Sequence, residues 1–260
     1  MLKDFTKEKF DIIIQAGQSN SQGTSFGDTS NPWIPDERVW YMNENDTISL
    51  AEEKVAFNEI QSNFGLEFCR EYINAGRLSK GRKILILRAA IGGTGFMDKR
   101  WNLTDDLFLH MMEMIRTALE LNPENRLIAL LWHQGENEVI LGSDYDKHYK
   151  NLITLLRTVR ETYACPDLPF IAGDFVPQWR DANFEGCAPI CDAMRDVCRD
   201  CGYGGFVARE GLLSNKQVLS GHPFGWPDDT IHFSRPAIYE LGKRYYEKVS
   251  EIIDKDNENV

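Results

Sequence analysis

The sequence contains no apolar run approaching the roughly 18 to 20 residues needed to cross a bilayer. Its longest, such as Leu127 to Trp132, have the length of buried strands. Cations are in short supply: 29 Lys and Arg stand against 40 Asp and Glu, for a net charge of −11. That balance argues against nucleic acid and anionic membrane surfaces as partners. The first nine residues, Met1-Leu2-Lys3-Asp4-Phe5-Thr6-Lys7-Glu8-Lys9, lack the apolar core of a signal peptide, so a cytoplasmic protein is expected. Internal repeats, low-complexity tracts and linkers are absent. Histidine is scarce, at five, which leaves few candidates for a general base. What remains is an ordinary globular composition, 42% hydrophobic and 27% charged over 260 residues, expected to fold as a single domain over 1–260.

Six cysteines in a chain without a leader are expected to be reduced. Four cluster as Cys187, Cys191, Cys198 and Cys201, a spacing that invites a zinc reading. Helical geometry gives a simpler one. At about 100° per residue, Ile190, Cys191, Met194, Val197, Cys198 and Cys201 share one arc, while Asp192, Arg195, Asp196, Arg199 and Asp200 take the other. This is the buried stripe of a helix with cysteine used as a small apolar residue, and no metal is expected. Cys69 and Cys165 suggest packing alone.

Short β-rich runs alternate with stretches of period near 3.6. The runs are Asp11 to Ala16, Ile84 to Ala90, Leu127 to Trp132, Phe170 to Asp174 and Gly205 to Ala208. Helical patterns cover Phe64 to Arg77, Thr104 to Leu121, Ser143 to Tyr163, Pro189 to Cys201 and Arg235 to Ile253. Ser143 with Asp146 reads as a capping box and Ser234 as an N-cap. The alternation predicts an α/β fold, a three-layer α/β/α sandwich around a five-stranded parallel sheet. An insert at about 21–62 breaks the rhythm and is expected to form a loop at the site.

Ligands of such sheets bind at the carboxyl ends of the strands. Those ends read Gly17-Gln18-Ser19-Asn20, Ile91-Gly92-Gly93-Thr94-Gly95 and His133-Gln134-Gly135-Glu136, with Asp228-Asp229-Thr230-Ile231-His232 before the last helix. A serine hydroxyl needs a base, an orienting group and oxyanion donors to act as a nucleophile. Ser19, between a strand and a helix start, is placed to present its hydroxyl at the sheet edge. Gly17-Gln18-Ser19-Asn20 has neither the spacing of a dinucleotide fingerprint nor the lysine of a P-loop. The glycines after Ile91 allow a backbone N–H to approach closely, and the Gln134 amide is either a satisfied core group or an oxyanion donor. Among the histidines, His110 and His148 lie in helical stretches, and His222 and His133 stay open by position. His232 is preferred, because Asp229 three residues earlier can reach Nδ1 and fix its tautomer.

In order and spacing, Gly17-Gln18-Ser19-Asn20, Gly92-Gly93-Thr94 with Trp101, Trp132-His133-Gln134-Gly135-Glu136, and Asp229-Thr230-Ile231-His232 resemble the SGNH hydrolase superfamily. The closer resemblance is to its sialate O-acetylesterase-like and acetylxylan-esterase-like branch, carbohydrate esterase family 6. It runs from about Asp11 to the final helix, and the Trp-His-Gln-Gly-Glu block is its most diagnostic part. The resemblance implies a flavodoxin-like fold, with Ser19 as nucleophile, His232 as base and Asp229 as its orienter. It implies an oxyanion hole from the Ser19 and Gly93 amides and the Gln134 side chain, with Glu136 in support of catalysis. Gln18, Asn20, His133 and Trp101, in or beside the same blocks, are expected to touch substrate. Gly95-Phe96 departs from the branch pattern and bears on the shape of the acyl pocket.

The sequence therefore predicts a cofactor-free carbohydrate O-acetylesterase acting on a small acetylated sugar, either an O-acetyl sialic acid or an acetylated xylo-oligosaccharide. The rivals are a general short-chain ester or thioester hydrolase and a non-catalytic sugar-binding relative. An acidic sugar would need a local cation to offset the net charge, and Lys99, Arg100 and Arg180 are candidates by nearness to the loops.

Overall fold

The structure is a computed structural model that describes residues 4–27, 32–56, 59–218 and 228–258. His222, considered above, lies outside the described residues. In chain order the elements are β1 (Lys9–Gly17), α1 (Ser19–Gln22), β2 (Ser25–Gly27), β3 (Val39–Met42), β4 (Ile48–Leu50), β5 (Lys54–Ala56) and β6 (Glu59–Ser62). There follow α2 (Phe64–Asn74), β7 (Arg82–Ala90), α3 (Asp106–Glu120), β8 (Arg126–His133), α4 (Glu136–Ile140) and α5 (Tyr145–Thr162). The chain closes with β9 (Phe170–Gly173), α6 (Pro177–Ala182), α7 (Phe184–Asp200), β10 (Gly204–Val207), α8 (Asn215–Val218) and α9 (Arg235–Glu258).

The five runs read from the sequence are β1, β7, β8, β9 and β10, and they pair in parallel. The sheet is larger than expected, with seven strands in the order β10-β9-β8-β1-β7-β3-β4. The two extra strands come from the insert: β3 joins β7 in parallel and β4 returns antiparallel to β3. Three more short strands of the insert form a second, antiparallel sheet in the order β2-β6-β5. The insert is thus built of strands as well as loops. Runs of three or four residues carry too little periodicity to stand out in a sequence.

β1 is buried along nearly its whole length, as a central parallel strand covered on both faces must be. Neighbouring strand residues point to opposite faces. A Cβ on Gly204 would meet α7 at Cys198, and one on Gly205 would meet α9 at Lys248. Hence α7 and α9 cover opposite faces and give the three layers. α2 packs on α9, while α3 lies against β7 and α5 against α7.

The cysteine stripe is where periodicity placed it. Cys187, Ile190, Cys191, Met194, Val197 and Cys198 are buried in α7 and Cys201 is half-buried at its cap. Burial pushes the Cys187 thiol up to about 12, and those of Cys191 and Cys198 further still. α7 starts at Phe184, earlier than expected, and carries Pro189 in its interior. Proline is commonest in a first turn, so it misleads as a start signal here. α5 is capped by Asp144, whose Oδ1 accepts from Lys147 N at 2.9 Å; the Ser143 hydroxyl makes no such bond. Ser234 does precede α9 and its carbonyl accepts from Ile238 N at 2.8 Å, but its hydroxyl has no partner among the described residues.

The strand order reverses around β1, which has β7 on one side and β8 on the other. Gly17 is level with Ala90 of β7 and with His133 of β8. Register alone therefore brings residues 17–20, 91–95 and 134–136 side by side at one end of the sheet.

Candidate active site

Gly17 ends β1 at φ 129°, and a Cβ there would come within 2.2 Å of the His133 carbonyl oxygen. Only glycine allows the chain to turn so tightly against β8. The turn lifts Ser19 to the start of α1, where its N–H finds no acceptor among the described residues. Ser19 Oγ lies 3.0 Å from His232 Nε2, and His232 Nδ1 lies 2.9 Å from Asp229 Oδ1. The three residues are at most 7% exposed.

Asp229 also accepts from its neighbours: His232 N reaches Oδ1 at 3.2 Å, and Asn215 Nδ2 reaches Oδ2 at 2.8 Å. Burial opposes ionisation of this carboxyl. The hydrogen bond and charge of His232, with the Asn215 bond, outweigh burial and hold it below the usual aspartate range. An ionised Asp229 keeps the proton on Nδ1 and leaves Nε2 to accept from the serine hydroxyl.

Across from Ser19 runs the turn after β7. Gly93 sits at φ 69°, with open space around it and no acceptor for its N–H among the described residues. The Gly92 N–H is taken by Gln22 Oε1 at 2.8 Å. Trp101 lies beneath this turn, its Nε1 donating to Thr94 Oγ1 at 3.1 Å. Glu138, fully buried, accepts from Phe96 N at 2.6 Å and from Met97 N at 3.3 Å.

Gln134 is fully buried and its amide turns inward, with Nε2 at 3.2 Å from Thr94 O, 3.4 Å from Glu138 Oε1 and 3.5 Å from Gln18 Oε1. All three partners are acceptors, so the side chain braces the glycine turn here instead of aiming an N–H at the Ser19 hydroxyl. Glu136 is also fully buried, and its Oε1 accepts from Asn20 Nδ2 at 2.8 Å. Burial raises the carboxyl of Glu136, against the bonds from its own N–H and Asn20 and the charge of His232.

The four residues expected to touch substrate are all buried, and the structure gives each an internal role. Asn20 holds the histidine loop, donating to Ile231 O at 3.0 Å and accepting from Phe233 N at 3.1 Å. Gln18 Oε1 accepts from Asn137 N at 3.2 Å. His133 Nδ1 is 3.0 Å from the Tyr245 hydroxyl, which itself donates to Trp132 O at 2.8 Å. Its Nδ1 must therefore carry the proton, and burial drops the His133 pKa to about 3. His133 is no candidate for the base. His148 is likewise fully buried, and His110 pairs with Asp46 near the surface. Of the suggested cations, Arg100 is engaged by Asp106 and Arg180 by Asp174.

Sequence reading missed Asn215, Gln22 and Glu138. Asn215 and Gln22 carry no local signal, because their partners lie 14 and 70 residues away. Glu138 had one, as a second acid in the first turn of α4.

Residues 9–251 match the family described as carbohydrate esterase, sialic acid-specific acetylesterase. Over 93 residues the chain is 28% identical to a probable 9-O-acetyl-N-acetylneuraminic acid deacetylase of Escherichia coli (strain K12), a stretch that spans 33% of this chain and 28% of that protein. The structure of NanS superposes with a TM-score of 0.82 at 16% identity, covering 96% of this chain and 99% of that one. A protein from Arabidopsis thaliana gives 0.67 at 19% identity, covering 94% and 98%. A carbohydrate acetylesterase from Xanthomonas citri gives 0.58 at 14% identity, covering 93% of this chain and 56% of that one. At these identities the structural likenesses speak for the α/β fold alone. With a family match that runs from β1 into α9, the chain belongs to the sialic acid-specific acetylesterase family of carbohydrate esterases.

Proposed function

We propose that the protein is a serine O-acetylesterase that removes acetyl groups from a small acetylated sugar, with Ser19 as nucleophile, His232 as general base and Asp229 as its orienting carboxylate. The observation that carries this is the continuous relay Ser19 Oγ to His232 Nε2 to Asp229 Oδ1, at 3.0 and 2.9 Å. As Oγ attacks the acetyl carbonyl, Nε2 takes its proton and the carbonyl oxygen becomes an oxyanion. The Ser19 and Gly93 N–H groups are the proposed donors to it, supported by their lack of partners among the described residues. Collapse breaks the bond to the sugar oxygen, which leaves with the proton from His232. Water then attacks the acetyl-serine, His232 accepts its proton, and acetate and free Ser19 result. In this reading Gln134 holds the glycine turn instead of the oxyanion, and Glu136 acts through Asn20.

The E. coli relative, named for a 9-O-acetyl sialic acid, and the family description support an acetylated sialic acid as substrate. Buried, unpaired thiols support a reducing compartment such as the cytoplasm. Among the described residues no helix is long and apolar enough to cross a membrane.

Acetate release from 4-nitrophenyl acetate and from acetylated sugars tests the reading. Ser19→Ala is expected to lower the rate by at least about 10⁴-fold with the fold intact, and a variant that keeps its activity overturns it.

A further inference from the structure

We propose that a polar cleft beside the Ser19 turn is the sugar subsite, and that Arg88 and Lys54 within it select a carboxylated sugar over a neutral one. The proposal rests on the esterase reading of Ser19. The cleft has a volume of about 550 Å³, within the roughly 300 to 1,000 Å³ of small-ligand sites. Its near wall is the turn that carries the serine: Gly23 N donates to Ser19 O at 2.9 Å, and Gln22 Oε1 holds Gly92 N at 2.8 Å. Its far walls come from the insert, which gives that stretch a task.

Every side chain lining the cleft is polar or charged. An apolar acyl chain finds no complementary surface there, whereas sugar hydroxyls, each donor and acceptor, find both kinds of partner. Gln22 Nε2, Asn45 Nδ2 and the Gln61 amide have no hydrogen bond to a described residue and line this space. Glu44 and Glu52 add carboxylate acceptors.

The cations decide the kind of sugar. Arg88 stacks on the Tyr41 ring at 4.9 Å and donates through Nη2 to Gln22 O. Glu44 approaches the same Nη2 at 3.5 Å, and Nη1 has no partner among the described residues. Lys54 forms no ion pair with them. The guanidinium is fixed by the Tyr41 ring and the Gln22 carbonyl, which leaves its Nη1 N–H groups to meet a carboxylate. A second cavity, of about 560 Å³ around Trp33 and Tyr239, has a different character. There Arg38, Arg70 and Arg235 already hold Asp36, Glu67 and Glu53.

The test compares Arg88→Gln and Lys54→Gln with the unaltered protein on 9-O-acetyl-N-acetylneuraminate and on a neutral acetylated xylo-oligosaccharide. In both variants the acidic-to-neutral ratio of kcat/KM is expected to fall by about 10- to 100-fold through KM. A ratio that stays constant in either variant overturns the selectivity claim, including the case where both substrates suffer equally. Calorimetric titration of N-acetylneuraminate into Ser19→Ala protein separates this subsite from the catalytic reading, since binding needs no nucleophile. Adding Arg88→Gln to that protein should weaken binding by the same factor. Unchanged binding sinks the subsite and leaves the triad standing, whereas hydrolysis by Ser19→Ala protein sinks the triad and leaves the subsite.

Discussion

Two buried carboxylates two residues apart on α4 hold the two flanks of Ser19, and they do it differently. Glu136 works at one remove: it accepts from Asn20, which grips the histidine loop at Ile231 O and Phe233 N. Glu138 works directly, accepting the Phe96 and Met97 N–H groups of the glycine turn. The histidine flank has a second hold, since Asn215 N donates to His232 O at 2.9 Å and its side chain to Asp229. The glycine flank has further holds of its own, from Gln22 on Gly92 N, from Gln134 and Trp101 at Thr94 and from the exposed Asp98 on Gly95 N, but Glu138 is its buried carboxylate. A Cβ on Gly95 would stand 2.0 Å from Glu138 Oε1 and 2.7 Å from Gln134 Nε2, so turn and carboxylate interlock. Removing a buried carboxylate that accepts directly from the turn is costlier than removing one that acts through another side chain, because an orphaned buried N–H costs about 1 to 3 kcal/mol.

The largest expected effect breaks the glycine flank at its buried carboxylate. Glu138→Ala leaves two N–H groups without their acceptor and should cost about 2 to 5 kcal/mol in urea unfolding. Its kcat should fall by about 10²-fold if the Gly93 N–H moves out of line. Gly95→Ala should do comparable damage. Combined with Glu138→Ala, its cost should be less than additive, because the clashing carboxylate is gone. Strict additivity would show that the two do not interlock. Glu138→Gln keeps an acceptor at Oε1 and should restore most of the stability.

Asn20→Ala comes next. It frees the histidine loop at two points while the Asn215 hold remains, so kcat should drop by about 10- to 100-fold with KM little changed. Stability should fall by no more than about 1 to 3 kcal/mol. A larger loss of stability than in Glu138→Ala would reverse the ranking of the flanks.

Glu136→Gln should have a smaller effect, since a Gln carbonyl can still accept from Asn20. Burial already lifts the Glu136 carboxyl, so loss of its charge removes a cost as well as a contact. A collapse of kcat with a displaced pH profile would instead put the charge of Glu136 in the chemistry and make the two carboxylates unlike in kind.

The last effect vanishes near neutral pH and concerns acid stability, through two histidines packed behind the flanks, His148 against Phe96 and His133 against Phe233. His133 and His148 are buried, and burial brings each pKa down to about 3. The unfolded chain binds their protons near pH 6.5, while the folded protein resists them. The stability they contribute is thus full above about 6.5 and is lost as pH falls towards 3. Both nitrogens of His148 lack hydrogen-bond partners among the described residues. His148→Phe should therefore fold and should flatten the slope of stability against pH, between about 6 and 4, by about 1.4 kcal/mol per pH unit. An unchanged slope would show that His148 is protonated in the folded state.

Much of this architecture is legible in the sequence because it depends on short-range regularities. The five parallel strands are apolar runs, the cysteine stripe follows a 3.6-residue period, and Asp229 and His232 are three residues apart on one loop. The insert strands escaped notice because each is only three or four residues long. The inward roles of Gln18, Asn20, His133 and Trp101 were equally hidden. A polar residue in a motif beside a nucleophile has the same sequence whether it faces a ligand or a buried carbonyl.

The sequence by itself determined the set of chemical groups and the end of the sheet at which they gather, since strand periodicity fixes where each strand stops. Only the tertiary structure decided which groups face one another. Ser19 and His232 are 213 residues apart, and Asn20 and Glu136 are 116 apart. At such separations the partners are set by strand register, by glycines that permit close approach and by the need of each buried N–H for an acceptor. Across such separations those constraints are met only once the chain has folded.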